Sequence, residues 1–135
     1  MANIPALLKL AGMLKVTRDT LGNRPEDFDM GTWAFKVPDC KTLYCAGGMF
    51  AVMFPQYGLY LEPMFGSDSP NQMLCLKNSD LVAYDALAKV FGITDIESRY
   101  IFSGNTYQVM KSTDISINMV YERVIKIIKN YNTAN

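Results

Sequence analysis

Apolar positions recur at the three- and four-residue spacing of a helix over most of the chain, and the breaks fall at glycine, proline and small polar residues. In the first stretch Ile4, Leu7, Leu8, Ala11 and Leu14 form one face, while Lys9, Lys15 and Arg18 lie off it. Asn3 is placed to cap that helix, Pro5 sits in the first turn where a missing N–H costs nothing, and Gly22-Asn23 before Pro25 marks its end. Residues 23 to 39 lose the periodicity. Phe28, Met30 and Trp33 are the apolar anchors there, beside a small acidic cluster of Glu26, Asp27 and Asp29. A second helix is expected to open at Asp39 or Cys40 and run through Leu43, Cys45, Met49, Phe50 and Met53 to Pro55. Its middle, Ala46-Gly47-Gly48, carries almost no side chain. Glycine inside a helix costs about 1 kcal/mol relative to alanine, so the expected compensation is close packing of a neighbouring helix.

From Gly58 to Phe65 the pattern turns aromatic-rich and β-leaning, a dense turn cluster runs from Gly66 to Asn71, and Met73 to Leu76 is a short apolar run. A small hairpin across the turn fits, with Pro63 confining the first strand to an edge; a long packed loop fits equally. Ser79 is expected to cap a helix whose face is Leu81, Tyr84, Leu87, Ala88 and Phe91, ended by Gly92-Ile93. Thr94-Asp95-Ile96-Glu97 is a capping box opening a short helix toward Phe102. Thr113-Asp114 is expected to cap the last helix, with its stripe at Ile117, Val120, Val124, Ile127 or Ile128, and Tyr131. The fold expected is mainly α: a compact single domain over residues 1–135, about five helices and at most one small β-hairpin, with α+β as the alternative.

Composition narrows the chemistry. Thirteen basic and thirteen acidic side chains cancel, which argues against generic nucleic-acid binding. Histidine is absent, which removes imidazole general-base chemistry, Ser-His and Cys-His pairs and every His-containing metal site. Cys40, Cys45 and Cys75 follow neither zinc-knuckle nor thioredoxin-like spacing, so they read as small buried hydrophobes in a reducing compartment. No metal and no cofactor is expected. The acidic cluster lacks the EF-hand pattern and reads as surface charge. Lys9 and Lys15 interrupt any signal-peptide core, and no apolar run approaches the ~20 residues of a membrane span. A cytoplasmic protein with no membrane partner is expected.

Nine methionines, eight tyrosines and seven phenylalanines make the apolar half soft and aromatic. Tyr57, Tyr60, Tyr84, Tyr100 and Tyr107 offer ring faces for stacking a base, with Arg99, Lys111 and Lys77 as positive partners. An aromatic core with hydroxyls at its rim is the competing account of the same residues. The candidate ligand- or partner-binding set is Trp33, Tyr57, Tyr60, Tyr100, Tyr107 and Arg99; no residue is singled out as catalytic.

The run Phe28-Asp29-Met30-Gly31-Thr32-Trp33, followed by Cys40 to Gly47, resembles a group of small uncharacterised bacteriophage and bacterial proteins. Those carry an FDM-x-x-W stretch and then a helix with two cysteines before an Ala-Gly step. Lys41 stands where the group usually has Gly, and the Ala-Gly step comes one residue early. Phe91-Gly92-Ile93, Ile101-Phe102 and Tyr107 are similar to later elements of the group. The resemblance implies a phage-type accessory protein acting in the host cytoplasm, in host takeover or counter-defence. With the absent imidazole, it favours a non-enzymatic binding protein that inhibits or redirects a host protein, or sequesters a small anionic, nucleotide-like signal. A structural homo-oligomer is one alternative, and a hydrolase built on carboxylates and tyrosines is the other.

Overall fold

Asn3 shows how local chemistry and long-range packing cooperate in this chain. Its Oδ1 accepts the Ala6 N–H at 3.2 Å and so caps α1 (Ile4–Leu21), while its Nδ2 and backbone N–H donate to the carbonyls of Val90 and Phe91. The entry of α1 is thereby fastened to the end of α3 (Ala83–Phe91). A computed structural model describes residues 2–26, 28–35, 43–64 and 70–133. Among them are five α-helices: α1, α2 (Ala46–Met53), α3, α4 (Asp95–Phe102) and α5 (Ile117–Thr133). The fold is mainly α. Its β-hairpin joins β3 (Leu59–Pro63) to β4 (Asn71–Leu76), in register from Leu59 opposite Leu76 to Pro63 opposite Gln72. Two short strands, β1 (Ala34–Phe35) and β2 (Leu43–Tyr44), extend the hairpin into an antiparallel sheet of order β2-β1-β4-β3. Pro63, which has no N–H to donate, thus lies on an outer strand.

One hydrophobic cluster joins the helices to the sheet. α1 lies along α5, burying Leu7, Leu10 and Leu14 against that helix's Val120, Val124 and Ile127 face. Leu8, expected on the buried face, is instead 54% exposed, because the true face is centred on Leu7, Leu10 and Leu14. The rings of Phe50, Phe91 and Phe102 run through the core in sequence, 4.9 and 5.8 Å between centroids, and tie α2, α3 and α4 together. No helix among the described residues is long and apolar enough to cross a membrane.

Three helix starts differ from expectation. Cys45 is the N-cap of α2, and Leu43–Tyr44 is a strand paired with β1, so the helix cannot open earlier; Asp39, Cys40 and Thr42 lie outside the described residues. Ser79 makes a turn, its Oγ accepting the Leu81 N–H, but the chain stays with the sheet as far as Val82, which bridges to Cys75. α3 begins only at Ala83, whose φ of 54° is unusual for a residue with a side chain. Thr113 and Asp114 belong to a short 3-10 turn, and the hydroxyl of Ser116 accepts from Met119 N–H at the start of α5. Asn23 completes that end: its carbonyl accepts from Ile117 N–H and its Oδ1 from Asn118 N–H. The ending of α3 at left-handed Gly92 and the capping box of α4 stand as expected; in the box Thr94 and Glu97 bond each other's N–H at 3.1 and 2.9 Å.

Candidate functional site

The glycine pair of α2 determines where Trp33 goes. A methyl group on Gly47 would stand 3.2 Å from the Trp33 ring and 3.1 Å from Leu87, and one on Gly48 would collide with the Trp33 carbonyl. The bare backbone is therefore needed mainly for the Trp33 loop, not only for a neighbouring helix. Further bonds hold that loop. Asp29 N–H donates to the Tyr44 carbonyl, and the Asp29 Oδ1 accepts from both Gly31 N–H and the Ser112 hydroxyl at 2.8 Å. Of the described carboxylates in the acidic cluster, Asp29 is thus tied to a distant element.

Fixed in this way, Trp33 forms one wall of a cleft of about 350 Å³. Its ring meets Tyr84 of α3 at 5.0 Å, tilted by 59°. Met30, Met64, Cys45 and Phe102 complete an apolar and sulfur-rich lining, and Thr32, Asn71 and Gln72 supply hydroxyl and amide groups. None of the described residues that line this basin is charged. A second basin of about 290 Å³ meets it at Met30, Gly31 and Tyr84, and is bounded by Ser103, Asn105, Lys111 and Ser112 among others. The cleft is thus aromatic at one end and polar at the other.

The start of α2 abuts the aromatic basin, yet its free N–H groups are already engaged by sulfur. Ala46 N–H donates to Met30 Sδ and Gly48 N–H to Cys45 Sγ, each at 3.4 Å. Burial pushes the Cys45 thiol up to about 12, against smaller lowering by backbone N–H groups of its own helix turn, so it stays protonated at neutral pH. It contributes a soft surface and not a nucleophile. Cys75, on β4, is also buried and also raised, first by burial and then by the Glu62 carboxylate 3.7 Å away.

The six residues singled out from the sequence do not converge on one site; Tyr100 and Tyr107 line a separate depression of about 430 Å³ with Arg123 and Lys126. Trp33 alone of them lines the aromatic basin. Arg99 stands behind it, its guanidinium 4.9 Å from the centroid of the Tyr84 ring and its Nε bonded to Asp95. Tyr57 packs against Phe50 at 5.4 Å as part of the core margin, and Tyr60 lies on β3 opposite Cys75. Tyr100 and Tyr107 gather instead around Arg123, which sits 4.4 and 3.6 Å from their ring centroids. Tyr107 reaches the edge of the polar basin, but it is buried and its hydroxyl donates to the Ile101 carbonyl at 2.7 Å. Arg123 in turn donates to the carbonyls of Tyr100 and Thr106 and to the Thr106 hydroxyl. That assembly is a structural joint. The set missed Met30, Met64 and Gln72, for which the sequence offers no signal, and left out Tyr84 and Lys111, which were visible as a ring and a cation.

No group of three or more acidic or cysteine side chains among the described residues is placed to hold a metal ion; Cys40 lies outside them. Comparison with protein-family models, with curated proteins and with solved structures finds no match to this chain.

Proposed function

We propose that the chain is a non-enzymatic binding protein of the phage accessory type, which sequesters a small nucleotide-like signal in the host cytoplasm and so redirects a host response. The observation that carries this reading is the Trp33–Tyr84 basin: aromatic and thioether walls for a planar ring, with the Thr32 hydroxyl and the Asn71 amide at its edge. Stacking on such walls is worth about 1–3 kcal/mol per base, and amides can match the hydrogen-bonding edge of one. The resemblance of the 28–33 and 40–47 segments to phage proteins supports the biological setting.

The protein carries its own reporter, since Trp33 is the only tryptophan. Titration with adenosine, guanosine, cytidine and uridine, and with their phosphates, should quench Trp33 fluorescence saturably for at least one base. Tyr84→Ala should weaken that binding by about tenfold or more while the circular dichroism spectrum is retained. If no base quenches saturably, and extraction of the purified protein releases no nucleotide, this reading is wrong.

A further inference from the structure

We infer that the polar basin beside the base site receives a single anionic group, so that the ligand class is a nucleoside monophosphate and not a free base, a nucleoside or a triphosphate. This rests on the reading of the aromatic basin as a base site and adds to it a second subsite with its own chemistry. The two basins, of about 350 and 290 Å³, share Met30, Gly31 and Tyr84. Together they lie within the roughly 300–1,000 Å³ of small-molecule sites. A ligand that stacks on Trp33 and continues past Tyr84 therefore enters the second basin.

The direction of the ligand follows from where charge is matched. At the aromatic end, the helix N–H groups that would otherwise attract an anion are engaged by Met30 and Cys45 sulfur, and no cation is among the described lining residues. At the other end Lys111 is the one charged side chain among the described lining residues, accompanied by the Ser103 hydroxyl and the Asn105 amide, while the Ser112 hydroxyl is already donated to Asp29. Asp29, beside this basin, has its Oδ1 engaged by Gly31 N–H and the Ser112 hydroxyl. One exposed ammonium offsets part of the charge of a single phosphate, which carries about −1.5 to −2 at neutral pH. A triphosphate brings further charges that no described lining side chain neutralises.

The same Trp33 quenching assay separates this inference from the reading beneath it. At low salt the 5′-monophosphate of the preferred base should bind about threefold to fivefold more tightly than its nucleoside, the range expected of an exposed ion pair. The triphosphate should gain nothing further, and the advantage should shrink at 1 M salt, where the screening length is about 3 Å. Lys111→Met should abolish the advantage and leave nucleoside binding unchanged, while the control Lys77→Met, an exposed lysine outside the lining, should keep it. Equal affinity for nucleoside and monophosphate, or a preference that survives Lys111→Met, overturns the anionic subsite and leaves the base site standing. Absence of saturable quenching by any of these compounds overturns both.

Discussion

Two arginine–tyrosine groupings are built from like residues and differ in how they are packed. Around Arg123, cation, two tyrosine rings, two carbonyls and a hydroxyl are all turned toward one another, and Tyr107 is buried. Around Tyr84, by contrast, Arg99 and Trp33 each meet the ring, and the ring faces the aromatic cleft, whereas the depression beside Arg123 is bordered by groups already bonded to one another. The residue types are alike; what differs is how many hydrogen-bonding groups find a partner inside the fold. A guanidinium whose N–H groups are matched by carbonyls stiffens a joint, whereas a stacked ring facing a cleft keeps a face for something else.

That contrast can be broken most severely at Gly48. Gly48→Ala drives a methyl group into the Trp33 carbonyl and should destabilise the protein by about 3 kcal/mol in urea unfolding, by forcing the backbone of the cleft wall to move. A loss below about 1 kcal/mol would mean that the Trp33 loop is held less firmly than its contacts imply. Next, Arg123→Met removes three hydrogen bonds and the contact with two rings, and should cost about 2 kcal/mol while leaving base binding intact.

The α4–α5 joint has a second tie, the hydrogen bond of 2.5 Å from the Tyr131 hydroxyl to Glu97, the same carboxylate that closes the capping box. Thr94→Ala should cost about 1 kcal/mol through the lost cap. Both partners of the tie also make stability depend on pH. Partial burial works to raise Glu97, but hydrogen bonds from the Thr94 backbone, Tyr131 and the Thr94 hydroxyl outweigh it and hold the carboxyl below its ordinary 4.5. Its contribution is therefore full above that value in the unfolded chain and is lost as pH falls below it. Tyr131 is pushed up to about 12, first by its bond to Glu97, then by burial and the carboxylate charge. Its share is full below the ordinary 10 and is lost as pH rises through about 12. Melting temperature against pH should fall off more steeply at both ends in the native protein than in Tyr131→Phe; parallel curves would refute the tie. Smallest of all, Arg99→Met should cost about 0.5 kcal/mol, because its ion pair with Asp95 is half exposed. A cost equal to that of Arg123→Met would erase the distinction between joint and cleft.

Features decided within one turn of chain were readable in advance. Asn3, Pro5, Gly92 and the Thr94–Glu97 box each settle a helix end with groups three or four residues away. The misplaced starts share one cause. Leu43–Tyr44 is drawn into a strand by β1, Val82 is held by Cys75, and the start of α5 is chosen by Asn23, 95 residues from the Asn118 N–H it accepts. Hydrophobic spacing carries no record of such partners. The cleft is illegible for the same reason: Trp33 and Tyr84 are recognisable as aromatics, but only folding brings Met64 and Gln72 against them and separates Tyr100 and Tyr107 from them.

The pairing of α1 with α5 sets a timetable for synthesis. Arg18 reaches Asn118, 100 residues later, with an N···O distance of 2.6 Å, and α5 is the element that α1, with its buried Leu7, Leu10 and Leu14, contacts most. As the polypeptide leaves the ribosome, its first helix is made long before the surface it lies against. Until α5 emerges, this leucine stripe is the sticky part of the nascent chain, the segment for a chaperone to shield, and the formation of the α1–α5 contact is the late event of folding.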